Sequence, residues 1–265
     1  MRLLRRILFT VAVSLAVVFV GLNWIAPVAL SFYAAKKAPA VTRVIPSDLN
    51  DQSISEVPGK KLSYFGYEFE IPWTDLDATQ TKLYPNDKTE KCKVDLRFRS
   101  GLRLVVSAIP PREWANGLAT EMKVSPQVIE SAFGNETVKS DYNFVKTLYE
   151  FTPDKMNHWA ASQRVHYPEQ YLLIIKSIAL PKSAETGIFN LHSPSYEGFQ
   201  QGSPKVRQDG IIVDLYSGEG SVELIFFQKN YRNSAGVTQP EINRIVQSLR
   251  KATREETMAP RIAKK

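Results

Sequence analysis

The sequence predicts an α+β fold, an antiparallel sheet with helices packed on both faces, plus one N-terminal transmembrane helix. Three observations predict it: a long uncharged segment near the start, two strand pairs with alternating apolar residues, and amphipathic helical segments between and after them. We expect a membrane anchor over residues 1–35, a linker or stalk over 36–61, a single α+β domain over 62–252 and a charged tail over 253–265.

The anchor segment is uncharged over residues 7–35 and has arginines before it and lysines after it. At about 1.5 Å per helical residue, this length exceeds the roughly 30 Å of hydrocarbon that a helix must cross. Trp24, Phe32 and Tyr33 fit an aromatic belt at the far interface. The alternative is a cleaved signal peptide, whose apolar core would be about 7–15 residues long and would end in an A-x-A-like site. Residues 31–35 form a poor cleavage site, so we expect a retained signal-anchor.

Charges around the anchor predict its orientation and exclude several classes of protein. Three arginines and the amino terminus precede the helix, which favours a cytoplasmic N-terminus and a domain outside the cytoplasm, on the periplasmic or extracellular side of a single-pass protein. The net charge is +7, but no basic stripe with interleaved aromatics indicates nucleic-acid binding. The basic residues near the anchor are expected to meet anionic lipid head groups. A single cysteine, Cys92, cannot form an internal disulfide.

The sequence predicts strands in the first half of the domain. Prolines and few large apolar residues in 38–61 indicate a loosely packed linker, and residues 64–72 alternate until Pro72 as a strand does. Next comes a hairpin with a three-residue loop over 99–101, because only this loop keeps the apolar residues on one face and places Gly101 at its close. The predicted pairs are Phe98 with Leu102, Leu96 with Leu104, Val94 with Val106 and, on the opposite face, Arg97 with Arg103.

Residues 125–180 predict a helical block. Pro126, Pro153 and Pro168 each stand where a first helical turn tolerates proline, and Pro181 ends the last segment. The chain then returns to strands and forms a second hairpin around the turn at 218–219. Its predicted pairs are Leu215 with Val222, Val213 with Leu224, Ile211 with Phe226 and, on the opposite face, Asp214 with Glu223.

The closing helix begins with a capping box, Thr238 with Glu241. Its apolar stripe has the spacing of a helix face that packs on a core: Ile242, Ile245, Val246 and Leu249.

Two short stretches, 67–73 and the Phe226-Phe227 strand that leads to 245–249, resemble PsbP-like domains. The resemblance implies a central antiparallel sheet with helices on both faces and a non-catalytic assembly or binding role at membranes. It implies no site residue. The helical block over 125–180 departs from the compact family pattern and is expected to be an insertion.

Motif searches favour no particular chemistry. The sequence has no P-loop, G-x-G-x-x-G, H-E-x-x-H or G-x-S-x-G. His158, His166 and His192 lie far apart in different predicted elements, so we expect no metal site, no cofactor and no catalytic residue.

Two groups of residues are candidate sites. The first is a charge cluster formed by the two like-charged pairs, Asp214 with Glu223 and Arg97 with Arg103. Like charges directly opposite each other are unfavourable. We therefore expect both hairpins to share one sheet and one face, where the pairs neutralise each other. The alternative is that the acids stand unpaired in a cleft, where proximity would raise one pKa for general-acid catalysis.

The second candidate is an interaction loop over 193–198 with His192, Tyr196 and Phe199 around it. These aromatics either form an exposed patch for a partner or fill the core, and core filling is the favoured interpretation.

Two functions follow from these patterns. We favour a membrane-anchored, non-catalytic extracytoplasmic domain that binds a protein or envelope component. The alternative is a membrane-anchored hydrolase that uses paired carboxylates.

Overall fold

The computed structural model describes residues 14, 18–84, 92–111, 116–117, 119–120, 123, 125–133, 140–158, 168–206, 210–228 and 236–252. The helices in these ranges are α1 (Val18–Lys37), α2 (Pro126–Phe133), α3 (Asp141–Glu150), α4 (Pro168–Ala179) and α5 (Gln239–Ser248). The strands are β1 (Pro46–Asp48), β2 (Lys60–Tyr64), β3 (Tyr67–Ile71), β4 (Lys82–Tyr84), β5 (Cys92–Arg97), β6 (Leu102–Ile109), β7 (Ile188–His192), β8 (Glu197–Gln201), β9 (Gly210–Ser217), β10 (Gly220–Gln228) and β11 (Arg250–Lys251). This confirms the predicted α+β class.

The strands form two sheets in the described part of the chain. The larger sheet has eight strands in the order β1-β7-β8-β9-β10-β6-β5-β4, and the smaller has three in the order β11-β3-β2. Both predicted hairpins therefore lie in one sheet, side by side. Each neighbouring pair is antiparallel except β1 with β7, which is parallel.

Both hairpin registers are confirmed. In the first, Val94 pairs with Val106 and Arg97 with Arg103, and the Phe98 amide donates to the Leu102 carbonyl at 3.0 Å. Gly101 closes the loop with φ of 89°, a left-handed conformation that glycine adopts without strain. In the second, the pairs run from Ser217–Gly220 at the turn through Asp214–Glu223 to Ile211–Phe226 and beyond.

The buried apolar residues form two main clusters. Side chains that alternate along the strands separate these clusters. One cluster contains Ile211, Val213 and Leu215 of β9 together with residues of β3 and α5. The other contains Tyr216 of β9 and Phe199 of β8 together with residues of α3 and α4. Residues that alternate along β9 thus contribute to different clusters, because successive side chains of a strand point to opposite faces.

The closing helix is confirmed in detail. Thr238 and Glu241 form the capping box at the start of α5. The four stripe residues are all buried, at 2% exposure or less: Ile242, Ile245, Val246 and Leu249.

Helix α1 is long and apolar enough to cross a membrane, and 6% of its most apolar window is buried inside the protein. It contains a π-helical turn at Gly21–Ile25, which ends two residues before Pro27. Proline has no amide hydrogen and its ring crowds the preceding turn, which accounts for the wider turn there. Of the predicted anchor before Val18, only Ser14 is described, and the predicted tail over 253–265 lies outside the described residues.

The segment predicted as a stalk, residues 36–61, contacts the domain at several points. Thr42 is fully buried in a 3₁₀ turn, and Pro46–Asp48 adds a parallel strand to the large sheet. Further along, the Asn243 side-chain amide donates to the carbonyls of Asp51 and Ser53, at 2.9 and 2.8 Å. These backbone groups have partners in distant parts of the domain, which no local apolar pattern reveals.

The helical block is confirmed at α2, α3 and α4 but wrong at Pro153. There the chain makes a single 3₁₀ turn, Pro153–Lys155, and Met156 is extended. Met156 is 6% exposed and packs with Ala35 and Leu173, so tertiary packing overrides the local helix signal.

Lys176 of α4 is fully buried although lysine almost never is. Its ammonium donates to three backbone carbonyls, those of Val44 and Tyr149 at 2.7 Å and that of Phe151 at 2.8 Å. The carbonyls of Tyr149 and Phe151 lie at the C-terminal end of α3, where the helix dipole favours a cation. All three donors of the ammonium are used, so Lys176 joins α3, α4 and the segment before β1.

Lys176 is expected to make the stability rise with pH in mildly alkaline solution. Burial, and secondarily the positive charge of Lys155, lowers the pKa of Lys176 to about 8. Between this value and the ordinary lysine pKa of about 10.4, the unfolded chain binds more protons than the folded one, so the free energy of unfolding increases with pH. We expect urea denaturation to show a gain of about 1–2 kcal/mol between about pH 7 and pH 9.5.

The matched control is Lys176→Met, which keeps the length of the side chain but cannot titrate. Its free energy of unfolding should stay flat over the same pH interval. A pH dependence of equal size in both proteins would contradict the assignment to Lys176. Measurements stop below pH 10 because burial raises the pKa values of Tyr149 and Tyr216, which lowers stability at higher pH.

Candidate functional site

Charged and polar side chains lie along one face of the large sheet. Register places them in adjacent rows, because residues two apart on a strand share a face. We call this set the polar strip; its members are Lys93, Asp95, Arg97, Arg103, Ser107, Asp214 and Glu223. Register therefore places both like-charged pairs in one sheet and on one face.

The basic pair is neutralised by Asp95, a residue that the sequence analysis did not select. Arg103 Nε donates to Asp95 Oδ1 at 2.7 Å, and Arg97 Nη2 donates to Asp95 Oδ2 at 3.4 Å. Asp95 is 3% exposed. The acidic pair lies two rows from the basic pair, beyond the row that contains Asp95. The predicted neutralisation of the arginines by the acidic pair is therefore corrected, because Asp95 takes that role. A signal was present in the sequence: Asp95 and Arg97 are two residues apart in a strand and must share a face.

The acidic pair is tied to the helical side of the sheet. Gln201 Nε2 donates to Asp214 Oδ2 and to the Tyr149 hydroxyl, both at 2.7 Å. Asp214 is 3% exposed, and Glu223 opposite it is partly buried. Burial and then the negative charge of Asp214 raise the pKa values of Tyr149 and Tyr216 well above the ordinary range, so both hydroxyls stay protonated. Neither tyrosine was selected from the sequence.

Buried polar atoms without a hydrogen-bond partner collect on this face. Among the described residues, four of the five such side-chain atoms lie here: Arg97 Nε, Gln201 Oε1, Tyr216 Oη and Ser221 Oγ. Tyr216 and Ser221 stand directly opposite each other on β9 and β10. Such atoms are rare in folded proteins and each calls for an explanation, of which a functional role is one. This concentration makes the polar strip and its neighbours the candidate functional site.

Asp95→Asn is expected to destabilise the protein by about 2 kcal/mol. The substitution leaves Arg97 and Arg103 facing each other without a counter-charge. Removing one partner of a buried pair costs about 3–5 kcal/mol, and the partial exposure of both arginines reduces that figure. Urea denaturation measures the change.

A double-mutant cycle is the control for Asp95→Asn. Adding Arg103→Met removes one of the two facing charges and should recover part of the loss. A cost below about 0.5 kcal/mol for Asp95→Asn would show that the ion pairs contribute nothing to the fold.

The predicted interaction loop is not an exposed aromatic patch. Tyr196 is 4% exposed and Phe199 is fully buried, so the favoured interpretation of core filling is correct for both and the alternative of an exposed patch is wrong. The Phe199 ring stacks on Tyr142 at 5.4 Å and meets Tyr149 edge-on at 5.1 Å. Both faces of the central strands are covered, so an aromatic residue on β8 points into the core. His192 is exposed, and partner binding by this loop stays a prediction.

Within the described ranges, no group of three or more His, Cys, Asp or Glu side chains is placed to hold a metal ion. His166 lies outside these ranges. His158 has a different role, because it contacts the end of the anchor helix.

The last turns of α1 pack on the folded domain. Ser31 Oγ and His158 Nδ1 are hydrogen-bonded at 2.8 Å, and the Phe32 ring stacks on the His158 ring at 3.8 Å. Ala35 packs with Met156 and Leu173. The junction between the apolar helix and the domain is therefore a contact surface built by α1, α4 and the turn at Pro153–Lys155.

Comparison with known proteins finds no family model, no curated protein and no solved structure that matches this chain. The resemblance to PsbP-like domains therefore stays a prediction.

Proposed function

We propose that this protein is a membrane-anchored, non-catalytic domain outside the cytoplasm that binds a protein or envelope component. Helix α1 crosses the bilayer, and the domain uses neither a cofactor nor nucleic acid. Helices packed on both faces of the large sheet, as in the PsbP-like resemblance, complete the proposed architecture. The observation that carries the proposal is α1 itself: its apolar sides are exposed, while its last turns pack on the domain.

The contacts of the polar strip support a non-catalytic role. Asp95 accepts from two arginines, and Asp214 accepts from Gln201. Carboxylates with protein donors of this kind are common in structural ion-pair networks far from active sites. They hold strands β5, β6, β8 and β9 in register.

The alternative function is a membrane-anchored hydrolase. The observation that favours it is the direct pairing of Asp214 with Glu223, beside the unpartnered hydroxyls of Tyr216 and Ser221. Retaining glycosidases use two carboxyl groups about 5–5.5 Å apart, and directly opposed strand residues have Cβ atoms about 4.5–5.5 Å apart.

Stability measurements distinguish the two functions without knowledge of a substrate. Active sites hold like charges together at a cost in stability, so catalytic carboxylates are often stabilising to replace. If Asp214 is structural, Asp214→Asn should lower the free energy of unfolding, because the Gln201 bond loses its charged acceptor. A gain of about 1 kcal/mol or more would show that repulsion from Glu223 outweighs the Gln201 bond, which is the strained arrangement that the hydrolase requires.

Cell fractionation tests the anchor and the orientation. The full chain should remain with membranes after carbonate extraction and keep its N-terminal residues by intact-mass measurement. In a Cys92→Ser background, Gly218→Cys lies in the exposed turn of the second hairpin and should react with a membrane-impermeant maleimide on intact cells. Leu3→Cys, before the anchor, should react only after lysis. A soluble protein that starts near Lys36 would overturn the proposal.

A further inference from the structure

Helix α4 exposes two isoleucines on one side. Ile174 is 51% exposed and Ile178 is 65% exposed, whereas Leu172, Leu173 and Ile175 are buried. Residues four apart are neighbours on a helix surface, so the two isoleucines form one apolar patch. An exposed apolar pair gains meaning when it lies next to an apolar phase, so its position relative to α1 decides what covers it.

This patch lies beside the point where α1 meets the domain. Leu173, next to Ile174 in the chain, packs with Ala35 near the end of α1. On another side of α4, the Lys176 ammonium binds the Val44 carbonyl, which places Ile45, 55% exposed, near the same helix. Three of the exposed large apolar residues outside α1 thus belong to α4 or to the segment bound to it.

The charges near the junction are of both signs. Lys36 and Lys37 are exposed in the last turn of α1, and Lys182 is exposed just after α4. The Arg43 guanidinium forms an ion pair with Asp154 at 3.4 Å. Lysines at the end of a membrane helix are suited to anionic lipid head groups.

We infer that α4 rests on the surface of the bilayer that α1 crosses, with Ile174 and Ile178 in the interface. This inference rests on the proposed membrane anchor. The bilayer is the occupant that the structure favours, because Ala35 near the end of α1 and Leu173 of α4 belong to one apolar cluster, so the membrane that α1 crosses lies near the patch. Since the domain is tethered, even a weak surface contact is populated at the high effective concentration that the tether supplies.

The contact fixes the orientation of the domain. With both the end of α1 and the side of α4 held at one interface, the domain lies against the membrane instead of rotating freely about a flexible stalk. This agrees with the packing of Ala40–Arg43 and the pairing of Pro46–Asp48 with β7 just after α1.

Quenching by brominated lipids tests the inference on the full chain. The Cys92→Ser protein, with Ile178→Cys carrying an environment-sensitive fluorophore, is placed in nanodiscs that hold one copy each. The matched control is Ile54→Cys, 50% exposed and remote from α4, and the anchor reporter is Phe19→Cys, 65% exposed. We expect strong quenching at residues 19 and 178, at least about twofold above that at residue 54.

The possible results separate the two proposals. Quenching at residue 19 but not at 178 overturns the surface contact and leaves the anchor standing. No quenching at either residue overturns the anchor itself. A blue-shifted label at residue 178 without bromine quenching indicates a protein occupant, a second copy or another chain, and also overturns the inference.

A second variant tests the same contact without a label on α4. With the fluorophore at Lys182→Cys, exposed just after α4, the double substitution Ile174→Gln and Ile178→Gln should lower quenching by brominated lipid. An unchanged signal would show that the isoleucines do not hold the domain at the interface.

Discussion

Gly198→Ala is expected to cost more than about 4 kcal/mol and to leave little folded protein, because two backbones meet at this position. A Cβ at residue 198 would lie 2.0 Å from the Asp214 carbonyl oxygen and 3.0 Å from the Leu215 Cα. Neither atom belongs to a side chain that could turn aside. Strands β8 and β9 would have to separate, and both are central strands of the large sheet.

Chemical denaturation of Gly198→Ala and of a matched glycine variant measures the effect. The control is Gly218→Ala, in the exposed turn of the second hairpin, where an added Cβ meets nothing within 4 Å. It should change the free energy of unfolding by less than about 0.5 kcal/mol. If Gly198→Ala is also nearly neutral, β8 and β9 do not pair as described, and the burial of Asp214 in the candidate site would be in doubt as well.

The hairpins could be derived from the sequence because their information is local. Short loops bring the partners together, and the apolar face admits one register in each case. Arg97–Arg103 and Asp214–Glu223 followed from those registers without any knowledge of the rest of the fold. The same holds for the capping box and the stripe of α5, which depend on spacing within ten residues.

The parts that could not be predicted depend on contacts between distant segments. Lys176 binds a carbonyl 132 positions away, and Asn243 binds the Ser53 carbonyl across 190 positions. No spacing rule reaches so far along the chain. The polar segment over 36–61 therefore read as a stalk, although its backbone groups have partners in the domain.

The burial of the aromatic residues near the turn at 193–196 could be predicted from the sequence only as a preference. Tyr196 and Phe199 lie near a turn, and an aromatic residue there can face either solvent or core. Strands with both faces covered point such side chains inward, as the contacts of Phe199 with Tyr142 and Tyr149 show. The role of Asp95 does not follow from directly opposed pairs, because its partners are Arg97 on the same strand and Arg103 on the diagonal.

Leu249→Ala is expected to destabilise the protein by about 2–5 kcal/mol, through lost burial and the cavity left behind. Leu249 follows the last turn of α5, is 2% exposed and belongs to the core cluster shared by both sheets. The matched control is Leu83→Ala, the same change at a residue that is 56% exposed on the edge strand β4. Urea denaturation should find less than about 0.5 kcal/mol for the control. A similarly small value for Leu249→Ala would mean that α5 is not part of the core and that the smaller sheet is held by other contacts.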